Sequence, residues 1–363
     1  MPLYGNKLGF SATMVGITST VSTIASLILR PILGGILDRY GRRAVVLIGT
    51  ALFAVATLLC GMFGGFAVLL ALRALQGFGF SAHTTAVNTM ATDLLPEERM
   101  GEGIGYMGLS SSISLALAPA LALTLIDGGQ YSKGFGGAFM AGTLAVLCLL
   151  LVKSPDVKAP STKRDMPSQY RGWERFWEKQ AIKPALVMLI LGACYAGLST
   201  FLATYALDKG FTSTQVSVYF TVNAVAMAVA RLFGGRLARR MGLKWGMLAA
   251  TCLCTAAFVL ITISISAWEL WLASALHGLG YGTIYPMLNA MAVTEATSER
   301  RGTAMATFLT GMDIGVGFGA GFWGMVIDCT STDMMFHICA VASLMVYIAY
   351  RLLMTAKTTR ATS

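Results

Sequence analysis

The stretch GFSATMV at residues 9–15 returns as GFTSTQV at residues 210–216. Outward from it, Arg30, Gly34 and Gly41 return as Arg231, Gly235 and Gly242. Gly77 and Gly79 return as Gly278 and Gly280, and Glu98, Arg99 and Gly101 as Glu299, Arg300 and Gly302. Every pair stands 201 residues apart, with no gap across about 90 residues. A duplication of this length predicts two parallel copies of one helical unit, the arrangement in which transporters place a binding site between repeats.

The solvent of that duplicated chain follows from composition. Of 363 residues, 56% are hydrophobic and 12% charged, about half the charge of a soluble domain, and the mean hydropathy is +0.68. Apolar stretches fall at about 12–37, 43–63, 66–92, 99–125, 131–152, 182–207, 213–238, 244–265, 269–294, 301–327 and 333–354. Each is long enough to cross a hydrocarbon layer of about 30 Å. The expected fold is an all-α polytopic membrane protein of two pseudo-repeated helix bundles, five helices in the first and six in the second. Met1 corresponds to Leu202, so the helix at 182–201 lacks a partner ahead of Met1, and a truncated first half is expected where 6 + 6 would be complete.

The net charge of +10 invites a nucleic-acid partner. The placement of the charges argues against one. Loops 38–43, 93–100, 153–183, 236–244 and 295–301, with the tail from Arg351, hold 21 of the 27 Lys and Arg. The opposite loops hold Lys7, Lys133 and Lys209. Basic loops face the cytoplasm, so a multi-pass protein of the inner or plasma membrane with a cytoplasmic C-terminus is expected. The domains then read as an N-terminal bundle over 1–152, a cytoplasmic linker over 153–181, a C-terminal bundle over 182–355 and a tail over 356–363. WERFWEK at 173–179 suits a short surface helix within the linker. MPLYGNKLGF at the start has no apolar run and reads as an exposed loop.

Three motifs carry a family resemblance. GGILDRYGRR at 34–43 resembles the loop signature of the major facilitator superfamily, RALQG at 73–77 its R-x-x-Q-G signature, and GYMGLSSSISLALAPAL at 105–121 stands where its antiporter signature falls. The resemblance implies a cytoplasmic latch built from Gly34, Asp38, Arg39, Gly41, Arg42 and Arg43, with Asp93 joining the charge cluster. In the second copy Arg239 replaces Asp38, so that loop is not expected to latch in the same way. The resemblance links Arg73 to proton coupling in exporters. Gly105 and Pro119 fit the antiporter signature, whereas Ser114 and Ala118 replace its glycines. GLGYGTIYPMLNAMAV and ATFLTGMDIGVGFGAG look most like bacterial efflux permeases related to drug, metallophore and sugar-efflux exporters.

Buried chemistry narrows the site. Asp313 alone among the acidic residues lies deep, about 20 Å into its helix at 1.5 Å per residue. A carboxylate there must be protonated or paired, which makes it a proton site with Arg73, or an ion-pair partner of Arg30. Arg30 and its repeat mate Arg231 are the candidate gating pair. His277, Tyr281, Tyr285 and Asn289 recur every four residues and share one helix face. With Tyr195, His83 and Asn88 they are the candidate substrate-cavity residues. Glycines 311, 315 and 319 form a small-residue packing seam.

No Walker A motif, HExxH or nucleophile–base arrangement is present, so neither an enzyme nor an ATP-driven pump is expected. The seven cysteines form no CxxC pair, and neither metal nor cofactor is expected. The function expected is secondary transport, proton-coupled export of a small organic solute by alternating access, with lipid, solute and protons as partners and a monomer as the working form. An uncoupled or symport-type uptake facilitator, or an inactive truncated form, is the alternative.

Overall fold

The computed structural model describes residues 2–94, 110, 114, 117–119, 121–126, 129–152, 177–294 and 301–355. They contain eleven continuous helices: α1 (Pro2–Lys7), α2 (Ala12–Tyr40), α3 (Arg42–Met62), α4 (Phe66–Leu94), α5 (Tyr131–Leu151), α6 (Lys179–Asp208), α7 (Ser213–Met241), α8 (Leu243–Ile263), α9 (Ala267–Thr294), α10 (Arg301–Cys329) and α11 (Thr332–Thr355). Eight of these, α2 to α8 and α11, are long and apolar enough to cross a membrane. The span read over 99–125 and the helix read over 173–179 fall largely outside the described residues. The opening segment differs from expectation: residues 2–7 are helical rather than loop. The reason is the repeat, which aligns α1 with the last turns of α6.

The duplication is written into the backbone. Helices α2 and α7, and likewise α3 and α8, begin and end at positions 201 residues apart. Ser11 and Thr212, the mates in the opening motif, are both helix caps. Ser11 Oγ accepts from Met14 N–H, and Thr212 Oγ1 accepts from Gln215 N–H. Gln215 returns a bond to the Thr212 amide and completes a capping box. The turns after α2 and α7 are single residues, Gly41 and Gly242, at φ 81°, ψ 151° and φ 84°, ψ 144°. That region is essentially closed to side chains, so both loop motifs require glycine there.

The described residues divide into two compact units: Met1–Gly16, Ser112–Ala120 and Arg171–Ser363 in one, Ile17–Ser111 and Leu121–Tyr170 in the other. In the first, Met188, Leu191, Met247, Leu288 and Phe308 form a buried core. Its α6–α10 seam is made by the three glycines: a Cβ on Gly311, Gly315 or Gly319 would overlap the backbone of Ala185, Leu189 or Ala193. In the second unit Leu33, Leu37, Val45, Val46 and Ala86 are the core. Arg43 Nη2 donates to the Leu150 carbonyl at 2.8 Å, a basic cap on the end of α5.

The first turn of α2 belongs to the larger unit and ends on the last turn of α10. Asp328 accepts from the Ala12 and Thr13 amides at 3.0 and 2.8 Å. A carboxylate at a helix N-terminus satisfies orphan donors and the helix dipole together. Asp328 stands beyond the span read over 301–327. Burial pushes its carboxyl up, but bonds from Thr13, Ser11 and Ala12 outweigh this and hold it below the usual carboxylate range. Its stabilising effect is therefore present above about pH 4 and is lost as pH falls through the lower folded-state value. Asp328→Ala should cost about 0.5–2 kcal/mol in thermal unfolding at neutral pH, and the deficit should vanish in strong acid.

Candidate functional site

In the larger unit the α9 face expected from sequence is an aromatic ladder. Tyr195 from α6 stands 5.0 Å from Tyr281, and His277 stands 5.8 Å from Tyr281, both centroid to centroid. Tyr281 continues to Tyr285 at 6.4 Å, nearly parallel at 20°, and Tyr285 meets Phe308 of α10 edge-on at 5.6 Å. Spacing of four residues along α9 produces the stack, since it repeats one helix face. Arg231 of α7 places its guanidinium 5.8 Å over the Tyr285 ring, a cation–π distance. Asp313 of α10 lies within electrostatic reach of the same phenol. The structure thus brings Tyr195, His277, Tyr281, Tyr285, Arg231 and Asp313 into one neighbourhood.

The polar atoms of this wall are unevenly satisfied. Tyr281 is 3% exposed, yet its hydroxyl has no hydrogen-bond partner among the described residues, and neither does Asn289 Oδ1. Buried polar groups are normally paired with protein, water or ligand. His277 is different: its Nδ1 lies 3.0 Å from Asn223 Nδ2, which also donates to the Ser274 carbonyl at 3.1 Å. The wall therefore pairs fixed polar groups with open ones.

The smaller unit holds the other candidates. Arg73 Nε donates to the Thr18 carbonyl at 3.1 Å and Nη1 to Gln76 Oε1 at 2.8 Å. Gln76 Nε2 donates onward to Thr57 Oγ1 at 2.7 Å. The R-x-x-Q-G stretch is thus a polar relay joining α4 to α2 and α3. His83, one helical face further on, contacts Thr50, while Asn88 is exposed near the end of α4. For Asp38, Arg39 and Asp93 the backbone alone is described, so the latch charge cluster lies outside the described side chains.

The two copies use the same contacts. Arg73 reaches the Thr18 carbonyl where Ser274 reaches that of Tyr219. A Cβ on Gly77 would overlap the Ser22 carbonyl, and one on Gly278 the Asn223 carbonyl. Gly79 packs on Gly49 and Phe53, and Gly280 on Ala250 and Cys254. All these pairs keep the 201-residue offset. Comparison with known proteins completes the case: the family model described as Major Facilitator Superfamily matches residues 1–219 and again 204–363.

The chain belongs to the Major Facilitator Superfamily.

It is a multi-pass membrane transporter, with membrane lipid and a small-molecule substrate as its partners. Among similar proteins is the staphylopine export protein of Staphylococcus aureus strain Mu50, 22% identical over 356 residues, covering 96% of this chain and 89% of the relative. Multidrug resistance protein 1 of Bacillus subtilis strain 168 is 25% identical over 338 residues, covering 90% and 84%. Quinolone resistance protein NorA of Staphylococcus aureus is 21% identical over 314 residues, covering 84% and 78%. The superfamily fold recurs in the crystal structure of the nucleoside transporter NupG, with TM-score 0.74 and 16% identity over 97% of this chain and 93% of that one. A bacterial homologue of the human lysosomal transporter Spinster gives TM-score 0.78 at 16% identity over 97% and 91%.

Phe308, Thr18, Thr50 and Thr57 were not legible as site residues, nor Asp328 as the cap on α2. For Thr57 one signal was available: its partner Gln76 occupies the repeat position of His277, and both sit in polar contacts between helices.

Proposed function

We propose that this transporter exports a small amphipathic organic solute in exchange for protons, by alternating access of its two repeats. The observation that carries the reading is the aromatic ladder on α9, with the partnerless Tyr281 hydroxyl inside it and Arg231 and Asp313 beside Tyr285. Stacked rings bind apolar or planar surface, and a few fixed polar groups orient it. Asp313 is the proton-binding carboxylate, with Arg231 as its charge complement and Arg30 as the gating mate in the other repeat. The Arg73 relay holds α4 in place for coupling. Efflux-type relatives, including those named for staphylopine export and quinolone resistance, agree with this direction. On this reading the basic loops face the cytoplasm of a cell whose inner or plasma membrane holds the protein as a monomer. The bundles span 1–152 and 182–355, joined by a cytoplasmic linker over 153–181 and followed by the tail over 356–363.

The test is uptake into inverted membrane vesicles with and without an imposed pH gradient, with a quinolone and a zwitterionic metal chelator as first probes. Gradient-stimulated accumulation is expected, and Asp313→Asn should reduce it to the level seen without a gradient. Gradient-driven transport intact in Asp313→Asn removes that residue from coupling. The second reading, an uncoupled facilitator, is favoured by Ser114 and Ala118 in place of the antiporter glycines, and predicts equal fluxes with and without the gradient.

A further inference from the structure

The histidines inside the two repeats carry opposite hydrogen-bond instructions. His83 Nδ1 lies 2.8 Å from Thr50 Oγ1, and that hydroxyl lies 2.7 Å from the Val46 carbonyl. A hydroxyl has one hydrogen and a carbonyl only accepts. The Thr50 hydrogen therefore goes to Val46, and the hydrogen between ring and hydroxyl belongs to His83 Nδ1. His83 Nε2 is left with a lone pair and no partner among the described residues.

At His277 the same accounting gives the reverse. Asn223 Nδ2 faces two acceptors, the Ser274 carbonyl and His277 Nδ1, and has two hydrogens to give them. Placing the amide oxygen there instead would set it against the Ser274 carbonyl. His277 Nδ1 must accept, so its hydrogen sits on Nε2. Protonating His277 at Nδ1 would point N–H at N–H and break the Asn223 bond. Protonating His83 at Nε2 breaks nothing, and it strengthens the bond to Thr50 by making the donor cationic.

We propose that His83 is a proton-binding site on α4, taking its proton at Nε2 while Nδ1–H stays on Thr50, and that Asn223 holds His277 as a fixed neutral Nε2–H donor. The role of such a site in transport rests on the proton-coupled reading above. The site itself rests on hydrogen counting. Helices α2 and α3 pack on α4 around His83. Their titratable or charged side chains among the described residues are Arg30 and Tyr40 on α2, and Arg42, Arg43 and Cys60 on α3, with Arg73 on α4 itself. Arg73 is ten residues from His83, about 15 Å along the helix, and Cys60 lies at the Arg73 end. Arg42 and Arg43 are about two turns from Thr50 along α3. The register that pairs Thr18 with Arg73 and Ser26 with Ser81 sets Arg30 level with Thr85, two positions on from His83 along α4 and so on a different face of that helix.

The full chain has three histidines, which permits a direct test by nitrogen NMR of imidazole-labelled protein in lipid bilayers. His337 is exposed and donates from Nδ1 to the Asp333 carbonyl, and His337→Gln identifies its signal. The expected result is His83 as the Nδ1–H tautomer at alkaline pH, gaining a second proton on Nε2 as pH falls to about 5. His277 should stay Nε2–H over the same range. Thr50→Val should erase the His83 tautomer preference, and Asn223→Leu that of His277. His83 found as Nε2–H, or still neutral at about pH 5, overturns the assignment. So does an unchanged His83 tautomer in Thr50→Val. Titration of His83 without gradient-driven transport would sink the coupling reading and leave the site standing, and a silent His83 with such transport would do the opposite.

Discussion

Replacing Gly77 with alanine will cost about 3 kcal/mol or more, while the same change at Gly136 will be neutral or stabilising. A Cβ at Gly77 would overlap the Ser22 carbonyl oxygen, stand 2.9 Å from its carbon and meet the Ala25 methyl at 2.9 Å. Two of those atoms are helix backbone and cannot rotate away. Helices α2 and α4 must separate by roughly the missing distance, and interiors packed to crystal density lose contacts along the whole seam when that happens. Gly278→Ala should behave alike, since its Cβ would overlap the Asn223 carbonyl. At Gly136 nothing stands within 4 Å of the added methyl, so helix propensity alone acts, in alanine's favour by about 0.5–1 kcal/mol. Thermal unfolding of the detergent-solubilised protein measures all three. A Gly77→Ala protein that melts with the parent would show that the α2–α4 approach is not close.

Arg73→Ala should be the next most damaging change, at about 3 kcal/mol. It removes two bonds from a charged donor, each worth about 1.5–3 kcal/mol, and leaves Gln76 Oε1 without its partner. Relief of the guanidinium desolvation offsets part of the loss. Arg73→Lys should recover less than half, because an ammonium does not reproduce the forked geometry that serves Thr18 and Gln76 together. Gln76→Ala should cost less than either. A guanidinium does not release its proton in proteins, so any coupling by Arg73 is electrostatic or positional. Comparing melting temperature with gradient-driven flux separates these. If stability and flux fall in parallel across Lys, Ala and Gln76→Ala, the relay is a scaffold. If Arg73→Lys melts normally and loses the gradient response, the charge acts on coupling.

Much of this protein could be read from its sequence because a bilayer leaves few alternatives: backbone must be satisfied internally, so apolar runs become helices. The offset between GFSATMV and GFTSTQV foretold that the two copies would match position for position, and the structure gives that match its content in the caps Ser11 and Thr212 and the turns Gly41 and Gly242. It did not foretell that residues 2–7 would be helical, although the repeat aligned them with the end of α6, because six polar-leaning residues carry no periodicity of their own. The ladder of His277, Tyr281 and Tyr285 was legible from spacing along one helix. Phe308 and Arg231 meeting Tyr285 was not, because contacts between helices depend on rotation about each axis. Thr50 was likewise hidden. Its hydroxyl decides the state of His83, yet a threonine in an apolar run looks like any other small residue.

One feature of the turns bears on how force travels. Gly41 and Gly242 each join two long helices through a single residue, so only one pair of dihedral angles separates α2 from α3, and α7 from α8. A connection that short stores no slack. Should the repeats rock as proposed, relative motion within each hairpin has only the φ and ψ of that one glycine to turn about.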